Sequence, residues 1–473
     1  MATKKYKGIP YHLWNPYTQM DQFTALLGIG PTIITRGEGN YVYNDQGQRY
    51  LIGSSCTWNF SIGYGREEII EAAARQMREL AFSSCWGLVH PRAIELAARL
   101  VQITSGNYAH AYLGSNGSEA VETAIKMSRQ YHRQSPRAKE HGRFKIISLH
   151  GSYHGYAYGT VTLSGSEAYN AKFGPMVPGF IQIEPPYCFR CPYQKDGYPG
   201  CGLECAQALE KTILAEGADS MAAFIMEPIM GEFGVIEPPQ EYYQRVGEIC
   251  RRHRLLFIAD EVSTGFGRTG KLFVSQDWEI QPDIMCVGKA ISGGYLPLAA
   301  TLTTDAVYRR FFGKGNLFMH GSTNSGHPVC CAVGLAAIDI ILREKLLENS
   351  AKVGAYLKAG LVKLMEDHPM IGEVRGSGLM IGIDLVKDRK TKEPFSSDEI
   401  YYFLLDVIDR GLLLSYSECG LSLFPPLNID EGTADEIVQI IDKSLYSSVM
   451  ADLGRKARLL RAFAASRLKQ SKS

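Results

Sequence analysis

The chain has 473 residues, 45% hydrophobic and 21% charged, with 50 Lys plus Arg against 49 Asp plus Glu and a formal charge of +1. That length predicts a large domain plus a smaller one, and the composition excludes a disordered or fibrous chain. The balanced charge gives no reason to expect nucleic acid or an anionic membrane as partner, no stretch approaches the ~18 apolar residues of a membrane span, and a small-molecule substrate fits better.

The opening MATKKYKG leads into polar and aromatic residues and lacks the apolar core of a secretory signal. Without one, the eleven cysteines read as reduced thiols of a cytoplasmic protein. RGEGNYVYNDQGQRYL (36–51) has two alternating runs split by an Asp-Gln-Gly turn, a predicted hairpin. From about Gly106 onward, apolar runs alternate with helical stretches, the pattern of an α/β fold with a mostly parallel sheet covered by helices. FKIISL (144–149), AAFIME (222–227), LLFIAD (255–260) and IMCVGK (284–289) are predicted buried strands. Between them, Tyr243, Val246, Ile249 and Cys250 recur at helical spacing and predict a helix over 240–252. MIGEVRGSGLMIGIDLV (370–386) returns to strands and glycines. Residues 66–342 are thus expected to form the large domain, and 1–65 with 343–450 a small α+β domain built from both chain ends. The tail, 451–473, carries seven Lys or Arg after Gly454 and no acid there; it reads as a solvated terminal helix or a docking element.

Ligands of open α/β sheets gather at the carboxyl ends of strands, where Asp260 and Lys289 stand. Pyridoxal phosphate needs such a pair: a lysine amine to bond its aldehyde, and a carboxylate to keep its ring nitrogen protonated. Burial and nearby cations would lower the lysine pKa and free the amine. Taken alone, the two fit equally well as a structural acid and a surface lysine. GSNGSEAVETAIK (114–126) leads small residues into a helix with Gly117 and Ser118 at its N-terminus, a phosphate site or only a cap. In HGSYHG (150–155), Tyr153 could stack on a planar ring or pack in the core.

Together FIADEVSTGFGRTGKLF, PDIMCVGKAISGGYLPLAATLTT, FMHGSTNSGHP, GSNGSEA and HGSYHG, in this order and spacing, resemble the class III aminotransferases of the type I pyridoxal-phosphate fold. The resemblance runs from about Leu13 to about Leu445. It implies Lys289 as the lysine that bonds pyridoxal 5'-phosphate and shuttles protons, and Asp260 as the partner of the ring nitrogen. Val262 and Tyr153 would pack on the two ring faces, Gly117 and Ser118 would hold the phosphate, and Glu227 would lie near the phenolic oxygen. Thr323 would reach the phosphate of a neighbouring subunit, which requires a homodimer or higher with shared sites. The activity implied is ping-pong transfer of an amino group from a primary amine or ω-amino donor to pyruvate or 2-oxoglutarate. Another reaction on the same fold, a mutase or a decarboxylation-coupled transamination, and a non-catalytic binding protein are the alternatives.

HLWNPYTQM and TWNFSIGYG resemble the diaminopelargonic acid aminotransferases of biotin synthesis, which makes Tyr17 and Trp58 candidate pocket residues or else packing at the domain interface. Counting back from PPLNI, the position of the carboxylate-binding arginine of many relatives falls on Ser415, which cannot form the bidentate clamp. Glu232 in GEFG matches the acid that pairs with that arginine, and without it would favour a donor with a second amine or a long neutral body. Cys188, Cys191, Cys201 and Cys205, in an insertion over 186–206, form CxxC and CxxxC pairs that could bind a structural zinc, remain free thiols, or form an occasional disulfide.

Overall fold

The computed structural model describes residues 5–7, 9–10, 12–18, 32–104, 106–195, 197–417 and 420–446. The basic segment expected at 454–473 lies outside them. The centre is a seven-stranded sheet. Its strands are β1 (His110–Gly114), β2 (Lys145–Leu149), β3 (Phe180–Ile183), β4 (Met221–Met226), β5 (Leu256–Asp260), β6 (Ile284–Val287) and β7 (Ala299–Thr303). They lie side by side as β1-β7-β6-β5-β4-β2-β3, and only β7 runs against its neighbours. Every residue of β4, β5, β6 and β7 is buried. A strand covered on both faces has no use for alternation, so these read in sequence as unbroken apolar runs.

Helix α1 (Gly117–Arg133) follows β1 and crosses beneath β6 and β7, where the Ala120 carbonyl accepts from Thr301 Oγ1 at 2.8 Å and from Cys286 Sγ at 3.5 Å. This places its N-terminus at the carboxyl ends of the central strands. Helix α2 (Gln240–His253) buries Tyr242, Tyr243, Val246, Ile249 and Cys250, the last four being the residues whose spacing predicted it. They pack into one core with Phe224 and Phe257 of the sheet.

The predicted hairpin forms between Tyr41–Asn44 and Arg49–Ile52, with Gly47 in the left-handed conformation its turn requires. Ile34–Glu38 adds a third strand, and Leu412–Leu413, from the other end of the chain, pairs in parallel with Leu51 and Ile52. Leu51 therefore shares a core with Leu357, Phe403, Leu412 and Leu423. Ile371–Ser377 and Met380–Asp388 form the later hairpin, and Gly420–Leu423 and Ser415–Ser417 continue that sheet. Among the described residues, no helix is long and apolar enough to cross a membrane.

Candidate active site

Asp260 is the last residue of β5 and is 3% exposed. Its Oδ2 accepts from His154 Nδ1 at 2.7 Å, and its Oδ1 accepts from the Val262 N–H at 3.1 Å. A carboxylate with both oxygens engaged keeps its charge and its direction even where water is excluded. The neighbouring strand ends at Val287, so Lys289, predicted to be the last residue of that strand, lies two residues beyond its end, on a turn with φ of 46°. A lysine in the left-handed region is strained, a cost that clusters where a side chain must be aimed. Its Nζ donates to Ser263 Oγ at 2.5 Å and lies 4.7 Å from the centre of the Trp58 ring. Burial pushes the Lys289 pKa down, while the charges of Glu227, Asp260 and Glu232 pull it back up.

Glu227 follows β4 and is 3% exposed. Its two oxygens accept from the Tyr153 N–H at 2.9 Å and the Gly231 N–H at 3.2 Å, so one carboxyl group joins the 150–155 loop to the 231–234 turn. Burial is the main force raising its pKa to about 7, and Asp260 adds to it.

The N-terminus of α1 is built as a cradle. Asn116 caps it by accepting from the Glu119 N–H at 2.9 Å, and Ser118 Oγ accepts from the Tyr156 N–H at 3.2 Å. A Cβ on Gly117 would lie 2.8 Å from Val262 Cγ1, and one on Gly155, at φ of 117°, would lie 2.1 Å from Ser118 Oγ. Free amide groups and the helix dipole at such an end favour a phosphate. His154 Nε2 is buried with no partner among the described residues. The donor set therefore fits a planar, phosphorylated ring: a lysine amine, a fixed carboxylate, a glycine-lined helix start, and Val262 and Tyr153 beside them.

Lys289, Asp260, Glu227, Val262, Tyr153, Gly117, Ser118 and Trp58 thus converge on one cleft, and Trp58 is held there by stacking on Phe424 at 4.3 Å. Thr323 lies exposed on the turn 323–326. Tyr17 is exposed and stands at the mouth of the cleft, its ring centre 6.2 Å from that of Tyr156 and its side chain hydrogen-bonded to Tyr169. Ser415 pairs with Ser422 at a half-buried position, but the side chain whose hydroxyl senses the Glu232 charge is that of its neighbour, Tyr416. His154, Ser263, Tyr156, Tyr169 and Tyr416 were missed in the sequence. Only His154 left a signal there, as the second histidine of HGSYHG.

The zinc expectation is corrected. Among the described residues, no group of three or more His, Cys, Asp or Glu is gathered to hold a metal. Burial pushes the Cys205 thiol up to about 12 and raises Cys188 as well. What pins the loop is ionic. Arg190 Nη1 lies 3.2 Å from Asp384 and donates to Tyr187 Oη at 2.8 Å, Tyr187 Oη donates to Asp384, and Lys392 Nζ donates to the Phe189 carbonyl at 2.7 Å.

The family model "Aminotransferase class-III" matches residues 28–445. The adenosylmethionine-8-amino-7-oxononanoate aminotransferase of Methanocaldococcus jannaschii is 37% identical over 460 residues, covering 93% of this chain and 97% of that protein. Among solved structures, an (S)-enantioselective omega-transaminase from Thermomicrobium roseum superposes with a TM-score of 0.87 at 40% identity, over 93% of this chain and 97% of its own. A PLP-bound amine transaminase from an uncultivated Pseudomonas species gives a TM-score of 0.87 at 37% identity, over 92% and 98%. These likenesses span nearly the whole chain and include the strands and turns that carry Asp260 and Lys289, so the chain belongs to the class III aminotransferases, enzymes of the type I pyridoxal-phosphate fold.

Proposed function

We propose that the cleft binds pyridoxal 5'-phosphate through Lys289 and moves an amino group from a primary amine to a short oxo acid. The observation that carries this reading is the pairing of Asp260, fixed by His154 at 2.7 Å, with Lys289 one strand away. When bound, the cofactor supplies an electron-withdrawing protonated ring. Asp260 holds the proton on the ring nitrogen, and His154 keeps that carboxylate aimed. Gly117 and Ser118 hold the phosphate, with Thr323 of the partner subunit completing the grip in a homodimer. Val262 and Tyr153 confine the ring, and Glu227 sits beside them as a weak acid that titrates near neutrality. Lys289, whose pKa burial pushes down, would take the proton from the donor carbon that bears the amine.

Ser415 cannot form the bidentate clamp on the oxo-acid carboxylate, so the acceptor, pyruvate or 2-oxoglutarate, is held by another cation or held loosely. We further propose a small domain from residues 1–65 and 343–450, supported by the core Leu51 shares with the C-terminal segment. A cytoplasmic location is supported by the free thiol state of every described cysteine. The test is a single half-reaction. Amine added without acceptor should convert the cofactor fully to pyridoxamine phosphate and release one carbonyl per chain. Lys289→Ala should abolish this, and turnover surviving above about 1% of the original would refute the assignment.

A further inference from the structure

Glu232 stands on a turn whose position is imposed from both sides. The Gly231 N–H is held by Glu227 at 3.2 Å, and the Gly234 carbonyl accepts from Arg375 Nη2 at 2.6 Å and Nε at 2.9 Å. The Glu232 side chain stays open to solvent, yet enough protein surrounds it that burial raises its pKa, and Lys289 is the charge that counters this. It therefore lies in a recess, accessible from the cleft and enclosed elsewhere. Among the described residues no arginine or lysine forms an ion pair with it.

Four tyrosines stand around this turn, which Glu227 joins to the loop carrying Tyr153. Tyr153, Tyr156, Tyr169 and Tyr416 each carry a hydroxyl made harder to ionise first by burial and then, among other charges, by Glu232. Their rings form a continuous wall: Tyr153 and Tyr156 are 5.2 Å apart between centres, Tyr156 and Tyr169 are 5.8 Å apart, and the hydroxyls of the latter pair meet at 3.3 Å. Tyr416 stands on the strand Ser415–Ser417, which packs against the turn: a Cβ on Gly234 would lie 3.1 Å from Ser417 Oγ. Electron-rich ring faces around a carboxylate attract an organic cation, and an ammonium is the cation of that kind an amine-handling enzyme meets.

We propose that Glu232 with Tyr156, Tyr169 and Tyr416 forms a subsite for a second, distal ammonium on the amine donor, so that diamines are preferred to monoamines of equal chain length. This rests on the amine-donor reading above. One amine of the donor reacts at Lys289 while the other, still protonated, replaces the missing arginine as the partner of Glu232. A carboxylate at the far end of the donor would meet Glu232 as a like charge and be rejected.

The holoenzyme is tested in the half-reaction with 1,4-diaminobutane against butylamine and 1,6-diaminohexane against hexylamine, following cofactor absorbance. The wild type should favour the diamine of at least one pair by about tenfold in kcat/KM. Glu232→Gln should bring that ratio close to one, and Tyr416→Leu should lower it about threefold or more, chiefly through KM. Tyr416→Leu serves if the glutamine variant fails to bind cofactor. Equal use of diamine and monoamine by the wild type, or a ratio unmoved in both variants, overturns the subsite and leaves the amine-donor reading standing. Conversion of no amine at all overturns both.

Discussion

Arg375 ties the 231–235 turn to the sheet of the later hairpin, and its replacement by methionine gives a sharp prediction. Its guanidinium reaches Glu373 at 2.6 Å, Asp384 at 2.8 Å, the Gly234 carbonyl at 2.6 and 2.9 Å and the Val235 carbonyl at 3.1 Å. Asp384 is fully buried, and removing one partner of a buried charge costs roughly 3–5 kcal/mol. Arg190 at 3.2 Å and the Tyr187 hydroxyl remain on Asp384, which moves that cost to the lower end of the range. Two carbonyls lose a donor as well, at about 1 kcal/mol each. The sum for Arg375→Met is therefore about 5 kcal/mol, or roughly 5 °C in Tm at about 1 °C per kcal/mol for a chain of this size. Arg375→Lys keeps the charge but loses the fork, and should fall about half as far. The assay is thermal unfolding at one scan rate and one cofactor concentration, since unfolding of a chain this large need not be two-state. A shift under about 2 °C for Arg375→Met would refute the reasoning.

The cradle predicts that Gly117→Ala weakens cofactor binding about tenfold or more, because the new Cβ would lie 2.8 Å from Val262 Cγ1; adding Val262→Ala should recover part of the loss in an absorbance titration. No recovery would place the damage elsewhere. Glu227 predicts a pH dependence. Its folded pKa of about 7 lies above the ordinary 4.5, so its contribution to stability is complete below the ordinary value and is lost as pH rises through about 7. The cofactor-free protein should therefore lose up to about 3 kcal/mol between pH 5 and 8 relative to Glu227→Gln, measured by denaturant melts, and parallel profiles would refute it. The ionic account of the cysteine loop predicts under about 0.2 zinc per chain in protein purified without chelator, and a Tm unchanged to within about 1 °C on adding one. One zinc per chain would reverse that correction.

What was legible in the sequence was what depends on neighbours in the chain. β4, β5 and β6 announce themselves as unbroken apolar runs, and α2 by its spacing, because burial on both faces or on one stripe writes itself into local pattern. β7, with the sequence AATLT, escaped because its alanines and threonines make no unbroken run of large apolar residues. Asp260, Lys289 and Gly117 were legible for the same reason: each ends or begins an element. His154 was not, since its contact with Asp260 spans 106 positions and exists only because the loop after β2 and the end of β5 open on the same side of the sheet. Counting to Ser415 came within one residue of the side chain that matters, but strand alternation decides which neighbour faces the cleft.

That difference has a physical consequence for where chemistry and specificity reside. Lys289, Asp260, Glu227 and Gly117 all stand at, or within three residues of, the ends of strands of the central sheet. Glu232 is different: its turn is held on one side by Glu227 and on the other by Arg375, which belongs to the sheet built from the later part of the chain. Tyr416 comes from that same sheet. The proposed distal subsite therefore draws residues from both the turns of the central sheet and the sheet of the later hairpin. A change at Arg375 should accordingly lower the diamine-to-monoamine ratio while leaving the cofactor absorbance of the holoenzyme intact, whereas a change at His154 should disturb the absorbance first. Observation of the reverse order would mean that the turn, and not the sheet, sets the geometry around Lys289.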